Sequence, residues 1–122
     1  MKKLILSIVL VIVATVIFWL ILPLAIVWGI IAKIYNKRFN EFSEWFMAWA
    51  VSIDQLGNVV SKELFNDVLI SKSKHNFGNP DETISSVLGK NKINNSLTLL
   101  GKSLDWILDK LDPNHSVKSI EN

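Results

Sequence analysis

The chain has 122 residues, half of them hydrophobic, and a formal net charge of +2. It contains no cysteine, which excludes disulfides, thiolate metal sites and thiol nucleophiles. The net charge comes from Lys2 and Lys3, so the remainder is neutral and lacks the basic footprint of a nucleic-acid-binding domain.

Residues 4–32 include no charged side chain. At a rise of about 1.5 Å per residue this run makes a helix of about 43 Å, longer than the hydrocarbon core of a bilayer. A helix satisfies its own backbone donors and acceptors, which lipid cannot do. Residues 1–35 therefore read as an N-terminal transmembrane anchor. A secretory signal peptide is the competing reading, because Lys2 and Lys3 form a basic leader. The apolar part of such a peptide is shorter, and Trp28-Gly29-Ile30-Ile31-Ala32-Lys33 offers no small-x-small cleavage pattern. Pro23 predicts a kink and no function. Lys2 and Lys3 on one flank nearly balance Lys33, Lys37 and Arg38 on the other, and the short basic leader favours an N-terminus in the cytoplasm.

Residues 36–70 carry a second apolar stretch, 42–60, whose uncharged centre at 45–51 is too short to span a membrane. Trp45 and Trp49 share one helical face, and aromatic rings favour the membrane–water boundary. An interfacial amphipathic helix is the first reading; a second span that closes a helical hairpin is the alternative. The stripe Ile53, Leu56, Val60 and Leu64 carries the helical pattern on toward Ile70. Gly57 leaves room there for another helix to approach. Asp54 and Gln55 are candidates for contact with a partner helix, and more simply mark where the helix re-enters water.

Residues 71–122 read as a small polar helical region. The polar residues Lys72, Lys74, His75 and Asn76 form a linker over 71–77. A helix over about 80–88 follows, with Asn79 as N-cap, Pro80 in the first position, Glu82 completing a capping box and Gly89 as an αL cap. Ile84, Val87 and Leu88 supply its apolar face. A polar loop at 91–96 leads to a last helix over 97–111. Its seam Leu97, Leu100, Leu104, Ile107 and Leu111 has heptad spacing, with Trp106 beside it. Asp112-Pro113 stops that helix, and the tail from Asn114 frays. The stripe at 53–64, the Ile84 face and the seam are each too small to be buried alone, so they are expected to pack together beside the bilayer. The seam also leaves room for a homo-oligomer.

Candidate chemistry is sparse. His75 and His115 are possible metal ligands with Asp81, Glu82 or Asp112, but no compact zinc or calcium spacing joins them. Capping is the simpler account of Asp81-Glu82, and a surface position that of His115. Gly101-Lys102-Ser103 echoes the end of a phosphate loop but lacks the upstream glycine and sits within a helix. No serine–histidine–carboxylate arrangement follows from the spacing. No catalytic residue, cofactor or metal is assigned; Asp54, Gln55, Asp81, Glu82 and His115 remain candidate interaction residues.

Three blocks carry a resemblance: Asp54-Gln55 with Asn58; Asn79-Pro80-Asp81-Glu82-Thr83-Ile84-Ser85-Ser86 with Leu88-Gly89-Lys90; and Asp112-Pro113-Asn114-His115 with Lys118-Ser119-Ile120-Glu121. In this order they resemble a family of small membrane-anchored proteins encoded by bacteriophages and prophages of Gram-negative bacteria. Ser116 departs from the family's usual cysteine after the histidine, and the stretch from Asn58 to Asn79 is longer than its short glycine turn. The resemblance implies origin and setting rather than mechanism. Together these readings describe an all-α membrane protein with a long anchor, an interfacial or second membrane helix and a small C-terminal helical cluster. The expected function is a non-catalytic interaction protein of the host inner membrane, with the bilayer and other membrane proteins as partners and no nucleic acid. The alternative is a structural protein of a virion with an internal lipid bilayer, meeting capsid protein.

Overall fold

The computed structural model describes residues 1–71 and 74–121. Lys72 and Ser73 of the predicted linker, and Asn122 at the end of the predicted tail, lie outside the described residues. All regular structure among the described residues is helical, and the chain divides into two compact units, Met1–Trp45 and Phe46–Asn122.

In the first unit, α1 (Lys2–Tyr35) runs continuously through Pro23, and none of its residues is buried. It alone, among the described residues, is long and apolar enough to cross a membrane. A turn with Lys37 at a φ of 55° leads into α2 (Glu41–Val60). The first residues of α2 pack back on the end of α1. The Trp45 ring lies against Gly29, where a Cβ would come within 2.6 Å of ring carbons. Lys33 Nζ stands 4.8 Å over that ring, and Glu41 takes ion pairs from Lys33 at 3.8 Å and Arg38 at 3.2 Å.

The second unit holds the rest of α2, then α3 (Lys62–Val68), α4 (Ile84–Ile93), α5 (Leu99–Leu111) and α6 (His115–Lys118). The predicted continuation of the second helix toward Ile70 is present but interrupted at Ser61. α4 packs chiefly on α6, and each of the two also packs on α5. An isolated antiparallel bridge joins Ile70 to Leu97, flanked by hydrogen bonds from Ser71 N–H to the Ser96 carbonyl and from Thr98 N–H to the Leu69 carbonyl. The core is small: Leu69, Ile70, Phe77, Val87, Leu88 and Leu97, with Phe65, Val68, Ile84, Leu104 and Leu108 against it. Phe65 and Phe77 meet edge to face at 5.3 Å.

Four expectations need correction. The helix predicted over 80–88 begins four residues later, with Thr83 rather than Asn79 as its N-cap. Asn79 instead closes a turn, its side chain accepting from Asp81 N–H at 3.0 Å. Gly89 is an interior helical residue, and α4 runs through it into the predicted loop at 91–96, as far as Ile93. The tail does not fray: residues 115–118 form α6, and Ser116 is fully buried.

The expected packing of three apolar faces is the fourth correction. Ile53, Leu56, Val60 and Leu64 are all exposed, because α2 turns Asp54, Gln55 and Asn58 inward instead. The heptad seam also divides. Leu97 enters the core and Leu104 packs against it, whereas Leu100, Ile107 and Leu111 face outward with Trp106. The buried residues of α5 are Gly101 and Asp105.

Gly89 explains how α6 comes so close. A Cβ there would collide with the Ser116 carbonyl oxygen, which is backbone and cannot swing away. In an open helix Gly→Ala is favourable by about 1 kcal/mol. Here Gly89→Ala is expected to destabilise the full chain by about 1–3 kcal/mol, as overpacked interiors do. Thermal unfolding in detergent micelles checks this, and a raised midpoint would contradict the close contact of α4 and α6.

Candidate functional site

The N-terminus of α4 collects the polar residues of the second unit. The four N–H groups without an intrahelical acceptor at this end are those of Thr83, Ile84, Ser85 and Ser86. Thr83 Oγ1 accepts from Ser86 N–H at 3.1 Å. Asp54, on α2, accepts from Ile84 N–H at 3.0 Å and from the Ser85 hydroxyl at 3.0 Å, with a longer bond from Ser85 N–H at 3.4 Å. Glu121, from the C-terminal tail, accepts from Thr83 N–H at 3.3 Å and from its hydroxyl at 3.0 Å. Two carboxylates therefore sit at the positive end of the helix dipole, which favours them.

Asn58, one turn along α2 from Asp54, is fully buried. Its amide donates to the carbonyls of Asn79 at 3.0 Å and Glu82 at 2.8 Å, and its oxygen accepts from Gly78 N–H at 2.8 Å. These bonds fasten the turn that precedes α4. Behind it lies Glu82, 4% exposed, which takes Ser86 Oγ at 2.7 Å, His75 Nε2 at 2.8 Å and Lys90 Nζ at 2.5 Å. Burial pushes the Glu82 carboxyl up, but the hydrogen bonds from Lys90, His75 and Ser86 outweigh it and hold its pKa below the ordinary value.

A second polar group joins α4, α5 and α6. Lys92 pairs with Asp105 at 2.8 Å and Asp109 at 3.2 Å, and the Ser116 hydroxyl donates to Asp105. The hydrogen bond to Asp105, more than any other contact, holds the Lys92 ammonium above the usual lysine range. At the surface, Lys118 and His115 both contact Asp112, and Lys118 first of these lowers its pKa.

Of the residues singled out in the sequence, Asp54 and Glu82 both serve the start of α4, Asp54 through Ile84 and Ser85 and Glu82 through Ser86. His115 is not joined to Glu82; it lies 3.1 Å from Asp112, while His75 takes Glu82. The two histidines thus belong to separate carboxylate pairs. Asp81 is exposed and Gln55 half-buried. A cleft of about 220 Å³ opens beside Asp54, with Ser85, His115, Ser119 and Glu121 on its polar side and Met47 and Val51 on its apolar side. Its carboxylates already serve the helix end, and Ser85 Oγ donates to Asp54. No group of three or more metal-ligating side chains gathers among the described residues. The arrangement suits holding segments together better than acid–base or nucleophilic chemistry.

Sequence reasoning passed over Thr83, Ser86, Asn58 and Glu121 as working parts of this centre. Thr83-x-x-Ser86, immediately before Val87-Leu88, was the usable signal, since a cap side chain accepts from the N–H three residues on. No protein-family model, curated protein or solved structure matches the chain.

Glu82 makes stability depend on pH. Because its folded pKa is lowered from 4.5, its contribution is complete above that value and is lost as pH falls through the folded pKa. Unfolding of the full chain, followed from about pH 6 down to about pH 3, is expected to show a steeper loss for the wild type than for Glu82→Gln. Parallel curves would contradict the charged role of Glu82.

Proposed function

We propose that the chain is a membrane-anchored interaction protein without catalytic activity, with α1 spanning the bilayer and residues 46–122 held near its surface to meet another membrane protein. The observation that carries this reading is the exposure of α1: 34 residues, almost all apolar, with none buried. A core helix of a soluble protein would be covered by its own chain. Lipid is the surrounding that matches these side chains while leaving the backbone satisfied.

The end of α1 argues for retention rather than cleavage. Gly29 and Lys33 receive Trp45, so the helix has a packing partner beyond the place where a signal peptide would be cut. A tryptophan beside a lysine also suits the membrane–water boundary. The exposed stripe Ile53, Leu56 and Val60 suits a helix lying on that boundary. The resemblance of the three sequence blocks to small phage and prophage proteins supports, as part of this proposal, a location at the inner membrane of a Gram-negative host. Appearance of the chain in purified virions would favour the structural role in an internal membrane instead.

Expression of the full chain in bacteria tests the anchor. The expected product stays in the membrane pellet after alkaline washing and keeps the intact mass of 13.8 kDa. Ile17→Arg is expected to weaken insertion by about 3 kcal/mol. A mature protein that begins after α1 would make α1 a signal sequence.

A further inference from the structure

α5 separates its charges. Leu99, Leu100, Trp106, Ile107 and Leu111 on its outward half are 51% to 81% exposed, interspersed with exposed Lys102 and Lys110. Its two acids, Asp105 and Asp109, turn inward, and both pair with Lys92. Lys110 Nζ stands 5.0 Å over the Trp106 ring. The outward half therefore carries large apolar groups and cations and no carboxylate.

We propose that this face of α5 binds the surface of an anionic bilayer, as a second membrane contact besides the anchor. Apolar side chains with a tryptophan on one side, and lysines within reach of phosphate headgroups, are what an interfacial helix needs. Charge complementarity selects this occupant over a second copy of the chain, because two such faces would oppose lysine to lysine with no acid between them. The chain itself supplies proximity: a segment tethered by a membrane helix meets lipid at high effective concentration, so a weak surface affinity is enough. The inference rests on the reading of α1 as an anchor.

Because the chain has no cysteine, Ser103→Cys on this face gives a single position for an environment-sensitive fluorophore. The labelled full chain is reconstituted into phosphatidylcholine vesicles with and without phosphatidylglycerol, and flotation is measured first. The expected result is flotation with both vesicles, and quenching of the label by brominated acyl chains when phosphatidylglycerol is present. Replacing Lys102 and Lys110 by glutamine is expected to lower the quenched population about fivefold per lysine. A chain that floats while its label stays open to a water-soluble quencher overturns the inference and leaves the anchor standing. A label shielded from both quenchers places protein on this face and overturns it as well. Lipid quenching indifferent to phosphatidylglycerol and to the lysines removes the anionic surface as the ligand. A chain that fails to float removes the anchor reading and the inference with it.

Discussion

A helix leaves its first N–H groups without intrahelical acceptors, and α4 begins in an interior where Thr83 and Ser85 are 6% exposed and Ser86 is sealed. Little water reaches those donors, and a buried unpaired N–H costs about 1–3 kcal/mol. The acceptors come from three places: Thr83 itself, Asp54 on α2 and Glu121 at the C-terminal end. Residues separated by 30 and 38 positions in the chain are thereby brought to one point. Removing any of them strands a donor, so the centre is strongly coupled to the integrity of the unit.

This dependence follows from how little apolar material the unit buries. Among the described residues, six hydrophobic ones form its core, against nine buried polar or charged ones. A fully made network of neutral bonds adds only about 1 kcal/mol per bond, but each broken bond costs more, so the network acts through specificity of arrangement. α2 shows the consequence most plainly. It directs Asp54 and Asn58 inward to serve α4 and leaves Ile53, Leu56 and Val60 outside. In water that is an inverted helix. Beside a bilayer it is the ordinary orientation of an interfacial one, and α5 repeats the pattern.

The legible parts of the sequence were those governed by local rules. The uncharged run at 4–32 marked α1 through its length alone, and Asp112-Pro113 marked the end of α5, where Asp112 is extended as a residue before proline prefers. Asp54 and Glu82 stood out as carboxylates at informative places, and both belong to the centre. What escaped was decided by tertiary contact. Asn79-Pro80-Asp81-Glu82 satisfies every local criterion for a helix start, yet Asn58 binds the Asn79 and Glu82 carbonyls and holds those residues as a turn. Thr83 then inherits the cap. Gly89 resembled a stop because glycine often ends helices, whereas its absent side chain admits the Ser116 carbonyl. The seam at 97–111 had correct helical periodicity, but periodicity alone does not say which face finds a partner. α6 is only four residues long and had no periodic signal.

Amide hydrogen exchange at Thr83, Ile84, Ser85 and Ser86, read by NMR on the full chain in micelles, tests the central claim most directly. Side-chain acceptors predict that these four amides exchange as slowly as Val87 and Leu88 inside the helix. They also predict that Asp54→Ala speeds Ile84 and Ser85 in particular, while Glu121→Ala speeds Thr83. Fast exchange of all four in the wild type, as at a frayed helix end, would contradict the account.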